Sequence, residues 1–190
     1  MVVLSVWQRI TDPFKRIWID LIPNARVRDW AETIIWALVI ALILRTFVIQ
    51  AFYIPSGSMI PTLMPNDRVF VNKFIYRFRE PRRGEIFVFK YPEDPSKDYV
   101  KRLIAVPGDK FSIQDGTVFI NGKPIDEPYV KYKDSFTLPE LVVPPDSFIA
   151  LGDNRPNSAD SRFWGFVPRA NLSGPVMFRF WPLNRFGLVD

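Results

Sequence analysis

Residues 31–54 read AETIIWALVIALILRTFVIQAFYI, with Glu32 and Arg45 as their only charges. A run this apolar must be buried, in protein or in lipid. About 20 helical residues cross the hydrocarbon core of a bilayer, and 33–54 supplies that length. Arg45 is costly at such depth unless it snorkels or sits near an interface. Two readings stay open: a span over roughly 30–49 with Arg45 at the outer headgroups, or a buried core helix. The span is favoured, because no other segment offers a partner to a helix apolar all round. A single transmembrane anchor is therefore expected over 30–53. No small-x-small site follows it, so it reads as an uncleaved anchor and not a secretory signal.

Residues 1–29 carry five basic against three acidic residues, a net of +2. Basic flanks favour a cytoplasmic N-terminus, which places the rest of the chain on the exported side. Trp7, Ile10, Phe14, Ile17, Trp18 and Leu21 recur at helical spacing within this segment. Thr11-Asp12-Pro13 reads as a cap with proline at the first helical position. An interfacial helix on the cytoplasmic leaflet and a helix resting on a partner both fit.

Beyond Pro55 the texture changes. Short β-rich runs occupy 68–76, 85–91, 99–106, 110–114, 117–120, 147–151 and 176–181. Gly84, Pro107-Gly108-Asp109, Asp115-Gly116 and Asn121-Gly122 punctuate them as turns. The expected fold is mainly β: an antiparallel β-rich domain over 54–190 following an N-terminal transmembrane helix. Residues 122–146, rich in Pro, Lys and Asp, read as an excursion from its core.

The chain has no His and no Cys. That removes Ser-His-Asp and Cys-His mechanisms, disulfides, thiolate catalysis and His- or Cys-bearing metal sites. Hydrolysis must then use hydroxyls, carboxylates, amines or a carboxylate-bound metal. The acidic residues form no convincing cluster, so no metal and no cofactor is expected. The net charge of +5 is spread along the chain, and no nucleic-acid signature accompanies it. Anionic lipid is the more specific partner, and nucleic acid is not expected.

A serine nucleophile without histidine needs another base, and lysine is the known alternative. An ordinary lysine is protonated at neutral pH, but burial disfavours its charge and brings it into a useful range. The pattern to seek is a lysine inside a hydrophobic strand and serines in a tight turn. Lys101 lies in YVKRLIAV, and Ser56 and Ser58 lie in Ile-Pro-Ser-Gly-Ser-Met. There Gly57 is expected to permit a backbone geometry that other residues resist. Taken singly, each signal also describes an ordinary half-buried strand or an ordinary turn.

Three ordered blocks are far more specific together. They are Ile54-Pro55-Ser56-Gly57-Ser58-Met59 with Pro61-Thr62-Leu63; Arg83-Gly84-Glu85, Tyr99-Val100-Lys101-Arg102 and Pro107-Gly108-Asp109; and Gly152-Asp153-Asn154-Arg155 with Asn157-Ser158-Ala159-Asp160-Ser161-Arg162 and Trp164-Gly165. Over about residues 30–181 they resemble the type I signal peptidases, in the bacterial and organellar branch that carries lysine where the endoplasmic-reticulum branch carries histidine.

The resemblance implies a membrane-bound Ser-Lys serine endopeptidase that removes signal peptides from secretory pre-proteins. Ser58 would be the nucleophile and Lys101 its base. The Ser56 hydroxyl and the Ser58 amide would form the oxyanion hole, and Ser158 would orient the Lys101 amine. Asp160 and Arg162 would form a supporting ion pair, with Gly152 and Asp153 holding the turn. Phe52, Ile54, Met59, Leu63, Tyr99 and Val100 would line shallow pockets for small side chains at substrate positions −1 and −3. Each of these six also reads as an ordinary core residue. A monomer is expected, in a bacterial plasma membrane or a related thylakoid or organellar membrane. Some of the abundant Phe and Trp of the β domain would dip into lipid. Two rivals stand beside this reading: a self-cleaving Ser-Lys regulatory protease, and a non-catalytic membrane-anchored β module.

Overall fold

The computed structural model describes residues 24–43, 45 and 49–189. Contacts divide the chain into two units, 1–46 and 47–190. The expected patterning of residues 1–23 lies outside the described residues.

In the first unit one helix, α1, covers Ala25–Ile43. Asn24 starts it, its side-chain oxygen accepting the Arg26 amide at 3.0 Å. Trp30, Ile34, Ile35, Trp36, Leu38, Val39, Ile40 and Leu42 are all exposed, Trp30 at 71%. The continuous anchor helix expected over 30–53 is corrected here. The helix starts and stops earlier, and Ile49–Tyr53 is a strand, β1. An unbroken apolar run does not distinguish helix from strand by periodicity. Here pairing decides, because β1 lies antiparallel to β2 (Arg68–Asn72), with Ile49 opposite Asn72 and Tyr53 opposite Arg68. Among the described residues, no helix is long and apolar enough to cross a membrane.

The second unit is built on two antiparallel sheets. Its remaining strands are β3 (Ile86–Tyr91), β4 (Asp94–Ala105), β5 (Lys110–Gln114), β6 (Thr117–Ile120), β7 (Lys123–Pro124), β8 (Leu138–Val142), β9 (Ser147–Leu151), β10 (Val167–Pro168), β11 (Leu172–Trp181) and β12 (Gly187–Leu188). The larger sheet runs β1-β2-β11-β3-β4-β9-β10 with β12 against β11, and the smaller runs β7-β6-β5-β8.

Every β-rich run read from the sequence contains a strand, and the turn signals have their expected chemistry. Asp115-Gly116 joins β5 to β6 and Asn121-Gly122 joins β6 to β7. All four of those residues have positive φ, as a two-residue hairpin with right-handed strand twist demands. The excursion expected at 122–146 is corrected. It supplies β7 and β8, and Ile125, Phe136, Leu138 and Leu141 pack onto the core formed by Phe111, Ile113, Val118, Ile120 and Val143. Most of its charged residues, Asp126, Glu127, Lys131, Lys133 and Asp134, lie between those two strands.

Strand β4 links the cores. Ile104 and Ala105 belong to that of the smaller sheet, while Leu103 packs with Phe87, Phe89 and Phe148. A third cluster, Ile54, Met59, Leu63, Val69, Val71, Ile86, Val88 and Val176, lies beneath the loop carrying Ser58. Lys101 therefore sits on a strand fixed between two neighbours, and Ser58 sits on a loop nailed to a core.

Candidate active site

The loop between β1 and β2 is closed at its neck by two backbone hydrogen bonds. Ile54 donates to Asp67 and Asn66 donates to Ile54, each at 2.9 Å. Within it Ile60 N–H reaches Gly57 O at 3.2 Å and Leu63 N–H reaches Met59 O at 2.9 Å. Met59 and Leu63 are buried and pull this turn onto the core. Gly57 is absent from the positive-φ residues, which corrects the expectation of a special backbone geometry. A Cβ there would stand 2.9 Å from Ile60 Cδ1, the end of a flexible side chain that can move aside, so space does not demand glycine.

Lys101 faces this loop from β4, which is paired with β3 and β9 on its two sides. Its Nζ is 2.7 Å from Ser58 Oγ. Lys101 is 4% exposed. Burial pushes its amine from the ordinary 10.5 down to about 8; the charges of Asp160 and Asp153 pull it upward and Arg162 opposes them. Ser56 Oγ stands 3.4 Å from Ser58 Oγ.

The third block forms a buried polar corner. A Cβ on Gly152 would meet Ser158 Oγ at 2.2 Å and Ser58 O at 2.6 Å, so only glycine lets this segment lie against the serine loop. Asn154 then grips that loop twice, its amide donating to Ser58 O at 3.0 Å and its Nδ2 to Gly57 O at 3.1 Å.

Asp160 accepts from Gly152 N at 3.0 Å, Arg162 Nε at 2.8 Å and Arg162 Nη2 at 2.9 Å. The expected ion pair is present, and it is buried on both sides. Asp153 was expected only to hold a turn. This is corrected: its carboxylate takes Arg102 Nε at 3.0 Å, Arg102 Nη2 at 2.8 Å and Thr62 Oγ1 at 2.6 Å. Ser158 Oγ is buried without a hydrogen-bond partner, so the expected bond to Lys101 is not formed.

Two carboxylates from the region read as an excursion complete the corner. Glu127 pairs with Arg155 and Asp134 with Arg162, each at 2.5 Å. Nothing local to either residue signals this role. Arg102 and Arg155 were visible inside the blocks, and their burial was not.

A cleft of about 350 Å³ opens beside the two catalytic candidates. Phe52, Ile54, Met59, Tyr99 and Val100 are among the residues that line it. Leu63 is corrected to a core residue: it is 0% exposed and lies under the loop. Asn157, Ala159 and Asp98, to which the sequence reading gave no pocket role, also line it. An open apolar trough ending at a hydroxyl and a depressed amine can seat an extended peptide and acylate the serine.

Comparison with known proteins agrees with that chemistry. Residues 27–181 match the family described as "Signal peptidase, peptidase S26". The chain is 48% identical over 171 residues to "Signal peptidase I" of Leptolyngbya laminosa, covering 86% of this chain and 84% of that one. It is 41% identical over 194 residues to "Probable signal peptidase I-2" of Synechocystis sp., covering 99% and 84%. A crystal structure of a signal peptidase I from Enterococcus faecalis is 35% identical, covers 51% of this chain and 97% of its own, and superposes with a TM-score of 0.46. With about four-fifths of its length inside one family's pattern and relatives this close, the chain belongs to the signal peptidase family, peptidase S26.

Proposed function

We propose that this chain is a serine endopeptidase that removes N-terminal signal peptides from exported pre-proteins through a Ser58–Lys101 dyad. The observation that carries the proposal is the 2.7 Å approach of the buried Lys101 amine to Ser58 Oγ. At Lys101's lowered proton affinity, a useful fraction of the amine is neutral near pH 8. Neutral Nζ takes the Ser58 proton as Oγ attacks the scissile carbonyl carbon. The resulting oxyanion is met by the Ser58 amide and the Ser56 hydroxyl. Collapse breaks the C–N bond, Nζ returns the proton to the departing amine, and the mature protein leaves. Water, deprotonated by the same amine, then releases the signal peptide from Ser58. Ser158 Oγ, the buried hydroxyl left without a partner, is the group that takes a hydrogen bond from Lys101 once it is charged.

The shallow apolar trough formed by Phe52, Ile54, Met59, Tyr99 and Val100 favours small side chains at substrate positions −1 and −3. The exposed apolar side chains of helix α1 from Ile34 to Leu42 support a membrane-associated protein, with its N-terminus cytoplasmic and the β unit on the exported side. The exposed aromatic residues of the β unit include Phe74, Phe78, Phe163, Trp181 and Phe186, available to lipid, with Leu183 and Leu188 near Trp181 in sequence. Ser58→Ala and Lys101→Ala, assayed with a synthetic pre-protein, test the proposal. Both should abolish cleavage with the fold intact, and cleavage by purified Ser58→Ala would overturn it.

A further inference from the structure

The serine and the lysine lie on separate pieces of chain, 43 residues apart in sequence. Catalytic geometry therefore depends on what ties the loop of Ser58 to strand β4. Asn154 holds the loop backbone at Gly57 and Ser58 but does not reach β4 in any described contact. The Asp153 carboxylate does both. It is 0% exposed, and its Oδ2 accepts from Thr62 Oγ1 at 2.6 Å and from Arg102 Nη2 at 2.8 Å. Thr62 follows Ser58 by one turn in a segment closed by the Leu63–Met59 bond. Arg102 is the next residue after Lys101. Its guanidinium is further fixed by Gly84 O at 2.8 Å and by the Tyr129 ring, whose centroid is 3.8 Å away.

We infer that Thr62 is a positioning residue for acylation: its hydroxyl, through Asp153 and Arg102, sets the Ser58–Lys101 separation. This inference rests on the dyad reading above. A hydroxyl is needed here because Asp153, already holding Arg102, has to accept a further donor without gaining a second positive charge. Threonine suits a loop residue whose backbone oxygen is itself held, at 3.0 Å by Arg179 Nη1 and at 3.3 Å by Arg185 Nη2. With both ends of Thr62 fixed, the turn that carries Ser58 cannot pivot away from β4. A small displacement at the reacting atoms costs rate much more than it costs substrate affinity.

The test uses the full chain in detergent, a synthetic pre-protein and a penem-type acylating probe. Thr62→Val keeps the shape and removes the hydroxyl, while Thr62→Ser keeps the hydroxyl. Thr62→Val should lower kcat and the rate of Ser58 acylation by roughly 10- to 100-fold, with KM changed by less than about twofold. Thr62→Ser should restore most of the loss. Thr62→Ala, also lacking the hydroxyl, should match Thr62→Val and decides the matter if the valine variant folds poorly. Wild-type kcat in Thr62→Val or Thr62→Ala, or Thr62→Ser as slow as Thr62→Val, overturns the inference. Ser58→Ala run alongside separates the two levels: an inactive Ser58→Ala beside a fully active Thr62→Val removes the positioning role alone, whereas an active Ser58→Ala removes the dyad with it.

Discussion

Along helix α1 the large apolar side chains face outward, while at the corner formed by 152–162 the charged side chains of Asp153, Arg155, Asp160 and Arg162 face inward. Both regions reverse the usual partition of side chains, and they do so by different physics. The exposed apolar side chains of the helix have no compensating partner among the described residues, and the proposed membrane association would supply one. The corner compensates itself: every buried charge in it is paired, Asp153 with Arg102, Asp160 with Arg162 and Arg155 with Glu127. Breaking such a pair costs much more than the pair contributes net, because the remaining charge stays buried. The helix should therefore tolerate substitution and the corner should not.

Lys101 sharpens the contrast: among the described residues, its buried amine makes no salt bridge, while Arg102, Arg155 and Arg162 do. Replacing Lys101 with Met should abolish cleavage, a loss on the order of ten-thousandfold. The same change should leave the fold no less stable at pH 7. Lowering the amine from 10.5 to about 8 corresponds to about 3 kcal/mol of destabilisation that methionine would relieve, partly offset by the lost contact with Ser58. The sign is fixed by the folded amine binding protons less tightly than the unfolded one. The penalty is thus complete below pH 8 and disappears as pH rises toward 10.5. A Lys101→Met protein that melts well below wild type at pH 7 would contradict this account.

Gly152→Ala comes next. Its methyl would overlap Ser158 Oγ and the Ser58 carbonyl, so the loop has to move and kcat should fall about 100-fold. Single-turnover kinetics measures that loss, and unchanged turnover would mean the corner yields more than its packing suggests. Asp160→Asn leaves Arg162 short of its main partner and should cost about 3–5 kcal/mol in denaturant unfolding. A loss under about 1 kcal/mol would put this pair in the class of exposed salt bridges.

The pH profile has a gentler signature. With neutral Lys101 as the proposed base, kcat/KM should rise with pH through about 8. Below that it should fall roughly tenfold per pH unit. A flat profile down to pH 6 would assign the base elsewhere. Trp36→Ala on the exposed helix should produce the smallest effect, within about 0.5 kcal/mol of wild type in detergent. A large loss there would mean that the helix has a protein partner.

The contrast also separates what was readable in the residues from what was not. The hairpins at Asp115-Gly116 and Asn121-Gly122 were legible because a two-residue turn with positive φ is a local demand, met by those two dipeptides. The approach of Lys101 to Ser58 was anticipated because the absence of His and Cys leaves few ways to activate a hydroxyl and three ordered blocks resemble one family. Strand β1 was not, because the apolar run 31–54 continues through it and only pairing with β2 separates Ile49–Tyr53 from the helix. Leu63 was misplaced for a related reason. Adjacency to the nucleophile in sequence says nothing about which side of the loop a side chain takes, and the core beneath the loop took this one.

The sequence alone determined the chemistry available to this protein and its family, since both depend on which residue types are present and in what local order. The tertiary structure alone decided how that chemistry is held. It brought Thr62, Arg102 and Asp153 to one carboxylate, and it reached from Glu127 and Asp134 across to Arg155 and Arg162. Such contacts join residues far apart along the chain, and their energy depends on burial that no short window of sequence contains.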